Sequence, residues 1–76
     1  MIRIAIPDEA KVREVAALWS YSALLFNCAD QFRAMARKCT KNEEDFWAES
    51  FNRTSNFYRN EADLAVKKAT AMQGEA

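Results

Sequence analysis

The chain has 76 residues, half of them hydrophobic, with eleven basic and eleven acidic side chains that cancel. That length makes one domain, 1–76, near the lower limit for a self-sufficient hydrophobic core, and the composition is neither that of a disordered chain nor that of a disulfide scaffold. The charge balance argues against a nucleic-acid partner, and the absence of histidine removes the commonest general base and metal ligand.

Ile2, Ile4 and Ile6 alternate with Arg3 and Ala5, which is the two-residue period of a strand. The spacing predicts a short extended segment over 1–6. It would pair with its own copy, pair with a partner or lay its isoleucines across helices, because one short strand has no ladder of its own. Pro7 suits the first position of a helix, with Asp8 and Glu9 in the first turn, where negative charge is favoured.

A first helix is expected over 8–39, a stretch free of glycine and proline. Its apolar positions recur in rows with heptad spacing: Val12, Trp19 and Phe26; Leu18, Leu25, Phe32 and Cys39; and a row of small residues, Val15, Ser22, Ala29 and Ala36. Small residues beside large ones let a second helix approach closely, and the stripe is wider than one neighbour can cover. Cys28 and Cys39 stand roughly 16 Å apart on a straight helix and cannot bridge each other. They read as small apolar side chains in a reducing compartment, or as the halves of a bridge between protomers.

Lys38-Cys39-Thr40-Lys41-Asn42-Glu43-Glu44-Asp45 is where the helical pattern stops and restarts. A basic end (Arg33, Arg37, Lys38, Lys41) meets an acidic beginning, the order preferred by one helix C-terminus followed by the next N-terminus. The stretch predicts the bend of a hairpin with its turn at 40–42. Either Thr40 would cap the next helix, in a capping box with Glu43, or Asn42 would.

A second helix is expected over 43–73, with rows Phe51, Tyr58, Ala65 and Met72; Phe57, Leu64 and Ala71; and the small residues Ala48, Ser55, Ala62 and Ala69. Gly74 supplies a C-cap signal and 74–76 a tail. Asn27 ahead of Asp30 and Asn60 ahead of Asp63 leave a break into shorter helices open, although two unbroken helices of about 45 to 48 Å match end to end. The acid-first pairs Glu9 with Arg13, Glu49 with Arg53 and Asp63 with Lys67 mark solvent faces.

No constellation points to catalysis. Glu43, Glu44 and Asp45 suit the start of a helix better than a metal ion, and the one glycine, at position 74, cannot build a phosphate loop, so neither a cofactor nor a metal is expected. The segment Ile2-Arg3-Ile4-Ala5-Ile6-Pro7-Asp8-Glu9-Ala10 through Val15-Ala16-Ala17-Leu18-Trp19 resembles the opening strand and first helix of GNAT-type acetyltransferases. That resemblance covers about the first quarter of the chain and implies acetyl-CoA chemistry. The family also needs further strands and a glycine-containing pyrophosphate loop, which nothing after Trp19 supplies, so no active-site residue is carried over.

The expected object is an all-α helical hairpin that completes its core as a homodimeric four-helix bundle, because two helices cannot cover aromatics that each offer on the order of 150 to 250 Å². Trp19, Phe26, Phe51, Phe57 and Tyr58 are the candidates for that core or dimer interface. Arg37, Lys38, Lys41, Phe46 and Trp47, around the bend, are the candidates for docking on a larger protein, since an exposed aromatic pair ringed by charge has the composition of a binding hot spot. The function expected is that of a non-catalytic accessory, regulatory or inhibitory factor, of the size that phage and plasmid genomes carry. A nucleic-acid-associated dimer and a structural subunit are the alternatives. The chain has no apolar run of membrane-spanning length and no export signal, so a cytoplasmic location is expected.

Overall fold

The computed structural model describes residues 8–74. They form two helices, α1 (Glu9–Lys41) and α2 (Asp45–Gly74), folded back on each other as an antiparallel hairpin. The extended segment expected over 1–6, with Pro7 and residues 75–76, lies outside the described residues. With 33 and 30 residues the helices are roughly 50 and 45 Å long, and neither breaks at Asn27 or Asn60.

The ends of the helices differ from expectation in instructive ways. Asp8 is the N-cap of α1 rather than part of its first turn: its side chain accepts a 3.3 Å hydrogen bond from the Ala10 amide, and its carbonyl accepts the first helical bond from Val12. At the bend α1 runs on through Lys41, and the turn falls on Asn42 and Glu43 instead of 40–42. Thr40 does not cap α2; its hydroxyl donates back to the Ala36 carbonyl at 3.1 Å within α1. Asn42 likewise serves as the C-cap of α1, not the N-cap of its successor.

A different device closes the helix. Glu43 adopts the left-handed conformation, with φ 62°, its amide donates to the Thr40 carbonyl at 3.1 Å, and the Glu44 amide donates to the Cys39 carbonyl at 2.8 Å. This pair of bonds is the Schellman motif, with a glutamate in the position that glycine usually takes. The Glu44 carbonyl then accepts the first bond of α2, from Ala48, so α2 starts two residues later than the sequence pattern implied. At the far end Gly74 is the last helical residue and has no positive φ, so it does not act as a left-handed cap.

The two helices meet along their small-residue rows. Val15, Ser22, Ala29 and Ala36 on α1 and Ala48, Ser55, Ala62 and Ala69 on α2 are all buried, joined by Leu25 and Ala65. The Ser55 hydroxyl donates a 2.7 Å hydrogen bond to the Ala29 carbonyl of the other helix, which requires the backbones to lie close together. Stepping one heptad along each helix from that pair, in opposite directions, sets Ala36 against Ala48, Ser22 against Ala62 and Val15 against Ala69. Ser22 satisfies its own hydroxyl on the Trp19 carbonyl at 2.8 Å, and among the described residues no buried side-chain polar atom is left unpaired. The sequence-expected surface pairs Glu9–Arg13, at 3.4 Å, and Glu49–Arg53 are formed, both highly exposed. They contribute a few tenths of a kcal/mol each at most.

Candidate functional site

A seam of alanine and serine has a consequence for the larger side chains: they are pushed to the two flanks of the hairpin. In an antiparallel pair a residue three positions after a seam position points to the same flank from either helix, and a residue four positions after it points to the other. Phe32 on α1 and Phe51 and Tyr58 on α2 are all of the first kind, and their rings meet. Phe32 stacks on Tyr58 with centroids 5.5 Å apart and an interplanar angle of 5°, and on Phe51 at 6.0 Å and 26°.

The contacts continue outward from this centre. Phe51 touches Trp47 at 6.0 Å, Trp47 meets Phe46 edge-on at 5.7 Å, and Tyr58 meets Phe57 edge-on at 5.7 Å. Six rings, Phe46, Trp47, Phe51, Phe32, Tyr58 and Phe57, thus form one unbroken ladder of contacts centred on this flank, which Phe46 and Phe57 join from the outer side of α2. Offset and edge-to-face arrangements of this kind are favourable for aromatic pairs. Phe46, Trp47 and Phe57 are nevertheless 73%, 54% and 60% exposed. None of the nine aromatics of the chain is buried in the hairpin.

The other flank is mostly polar. There the Trp19 indole donates to the Gln73 side chain at 3.3 Å, and Arg33 reaches across to donate to Asn56 at 3.5 Å. One heptad inward from Trp19 stands Phe26, half-buried, as Val66 stands one heptad inward from Gln73. Nearer the bend, Arg33, Arg37, Thr40 and Asn52 line a shallow open depression floored by Ala36.

The structure therefore regroups the candidate residues. Phe46 and Trp47, read as a docking pair, share one ladder with Phe51, Phe57 and Tyr58, read as interface. Trp19 and Phe26, read as part of that same interface, lie on the opposite flank. Arg37 also lies on the opposite flank from Trp47, while Lys38 and Lys41 are exposed on the outer side of α1 near the bend. Phe32 is the residue that sequence reasoning missed as the centre of the ladder. Its signal was present in the equal offset of Phe32, Phe51 and Tyr58 from their small-residue rows. Cys28 and Cys39 are free thiols, half-buried, and the helix places them on the ladder flank.

Among the described residues no helix is long and apolar enough to cross a membrane, and no group of three or more His, Cys, Asp or Glu side chains converges to hold a metal ion. Comparison with protein-family models, with curated proteins and with solved structures finds no match to this chain.

Proposed function

We propose that the chain is a small non-catalytic protein-binding module, an accessory, regulatory or inhibitory factor that docks on a larger protein, and that its hairpin self-associates into a homodimeric four-helix bundle. The observation that carries this reading is the ladder: six aromatic rings in continuous contact, centred on one flank, three of them more than half exposed. Contiguous exposed apolar surface of this kind marks a surface for other proteins.

The end of the ladder at the bend is the part assigned to the larger partner. Phe46 projects furthest into solvent and Trp47 lies beside it, with the exposed ammonium groups of Lys38 and Lys41 on the neighbouring helix end. An aromatic anchor with a charged rim is the usual anatomy of a binding hot spot. The test is capture of a partner from the native host by the tagged full chain, repeated with Trp47→Ala and with Arg37→Ala while thermal melting is followed. Lost capture by Trp47→Ala at an unchanged melting temperature supports docking at the bend. The result for Arg37→Ala tells whether the partner reaches round to the opposite flank. Unimpaired capture by Trp47→Ala would remove the bend from consideration as the docking site.

A further inference from the structure

We infer that the depression between Arg33, Arg37 and Asn52 binds a single phosphate monoester, carried by a modified protein side chain or by a small phosphorylated molecule. The site lies on the flank opposite the ladder and does not rest on the docking surface proposed above.

Three observations point to such a ligand. The first is a set of donors left free. Arg33 and Arg37 stand one turn apart on α1, with about 5 to 6 Å between their Cβ atoms. Among the described residues Arg37 makes no hydrogen bond or ion pair, and Arg33 donates only to the Asn56 amide oxygen, at 3.5 Å. The Asn52 side chain, which lines the same hollow from α2, has no hydrogen-bond partner among them either. Thr40 has already committed its proton to the Ala36 carbonyl, so the donors are the two guanidinium groups and the Asn52 amide.

The second is shape. Ala36, 2% exposed, belongs to the seam along which the backbones lie close together, so the floor of the hollow is low. Its walls are the longer side chains of Arg33 and Arg37 on one helix and of Asn52 on the other. The hollow measures about 380 Å³, room for one phosphate and the first atoms of the group that carries it.

The third is charge. The lining holds two guanidinium groups and no carboxylate. A phosphate monoester carries a charge of about −1.5 to −2 at neutral pH and three strong acceptor oxygens, which two planar forks and an amide can meet together. A carboxylate, with one charge and two oxygens, leaves one arginine unanswered. A nucleic-acid strand fits worse, because by helical position Asp30, Asp45 and Glu49 stand on the same flank to either side of the hollow and repel the neighbouring phosphates.

The experiment is an NMR titration of the full chain that follows the arginine Nε–H and asparagine side-chain signals. Four probes are added in turn: inorganic phosphate, an end-blocked phosphoserine peptide, the same peptide with glutamate in place of phosphoserine, and a short single-stranded DNA. Both phosphates should shift the signals of Arg33, Arg37 and Asn52 and saturate on the order of 1 mM, the weak range expected of exposed charges, and the glutamate peptide should bind about tenfold more weakly. Arg37→Gln should weaken phosphate binding about tenfold through the loss of one charge-assisted contact. Lys67→Gln removes the same charge from an exposed position far along α2 and should leave binding unchanged. Both substitutions are at exposed positions, and an unchanged melting temperature shows that the fold is kept. A phosphopeptide that binds tenfold tighter than inorganic phosphate supports the site and assigns it to a modified protein; equal affinities support it and assign it to a small phosphorylated molecule. Absence of shifts at the three residues with either phosphate, or an equal loss in Lys67→Gln, overturns the site. A glutamate peptide that binds as well as the phosphopeptide overturns phosphate as the ligand. DNA that binds more tightly than either phosphate, with shifts spreading to Lys38 and Lys41, overturns the single monoester in favour of a nucleic-acid backbone.

Discussion

The hydroxyl of Ser55 donates a 2.7 Å hydrogen bond to the backbone carbonyl of Ala29 on the facing helix. A serine side chain is short, so this bond sets both the separation of the helices and their register. Everything larger is displaced to the flanks. The same contact that closes the hairpin therefore leaves the aromatic ladder uncovered.

Replacing Ser55 with alanine removes the donor and leaves the seam otherwise filled. The loss expected is about 1 kcal/mol, the net worth of an ordinary hydrogen bond, measured by urea denaturation. No change in the midpoint would mean that the bond does not set the register.

Ala62 is 0% exposed and faces Ser22 across the seam in the register set by Ser55 and Ala29. Ala62→Leu should force the helices apart and cost roughly 1 to 3 kcal/mol through overpacking, as should Ala29→Leu. Ala34→Leu, at an exposed position of α1, is the control and should stay within about 0.5 kcal/mol of the parent. Thermal melts that rank all three alike would contradict the seam.

Glu43 holds a left-handed conformation, φ 62°, that costs a side-chain-bearing residue on the order of 1 to 2 kcal/mol and glycine little. Glu43→Gly keeps both bonds of the Schellman closure, so a gain of about 1 kcal/mol is expected once the greater chain entropy of glycine is offset. In a domain of this size that is roughly 4 to 8 °C in melting temperature. A lower melting temperature would show that the acidic side chain contributes more to the start of α2 than its backbone strain costs.

Trp19 is 40% exposed and makes one exposed hydrogen bond, to Gln73. Trp19→Phe should leave stability within about 0.5 kcal/mol, because surface substitutions away from packed features rarely do more. A drop of several kcal/mol on calorimetry would mean that this flank is covered in solution.

The two-helix architecture, the contact along the small rows and the position of the bend to within two residues were legible in the sequence, because heptad spacing and the reversal of charge order act locally along one helix at a time. The cap at the bend was not. Thr40 and Asn42 have the chemistry of N-caps, but continuing α1 gives the Thr40 hydroxyl a partner in Ala36 and closes the helix through Glu43, an exchange that depends on backbone geometry. The grouping of the aromatics was present in the sequence only as an offset, three or four positions after a small residue, and became a flank once the small rows were found to face each other. Rows that look equivalent along each helix, Trp19 with Phe26 and Phe51 with Tyr58, end on opposite flanks once the Ser55–Ala29 register pairs the helices, and only that pairing brings Phe32 between Phe51 and Tyr58. Periodicity determines which residues share a stripe; the side of the hairpin on which each stripe falls is decided by how the two helices meet.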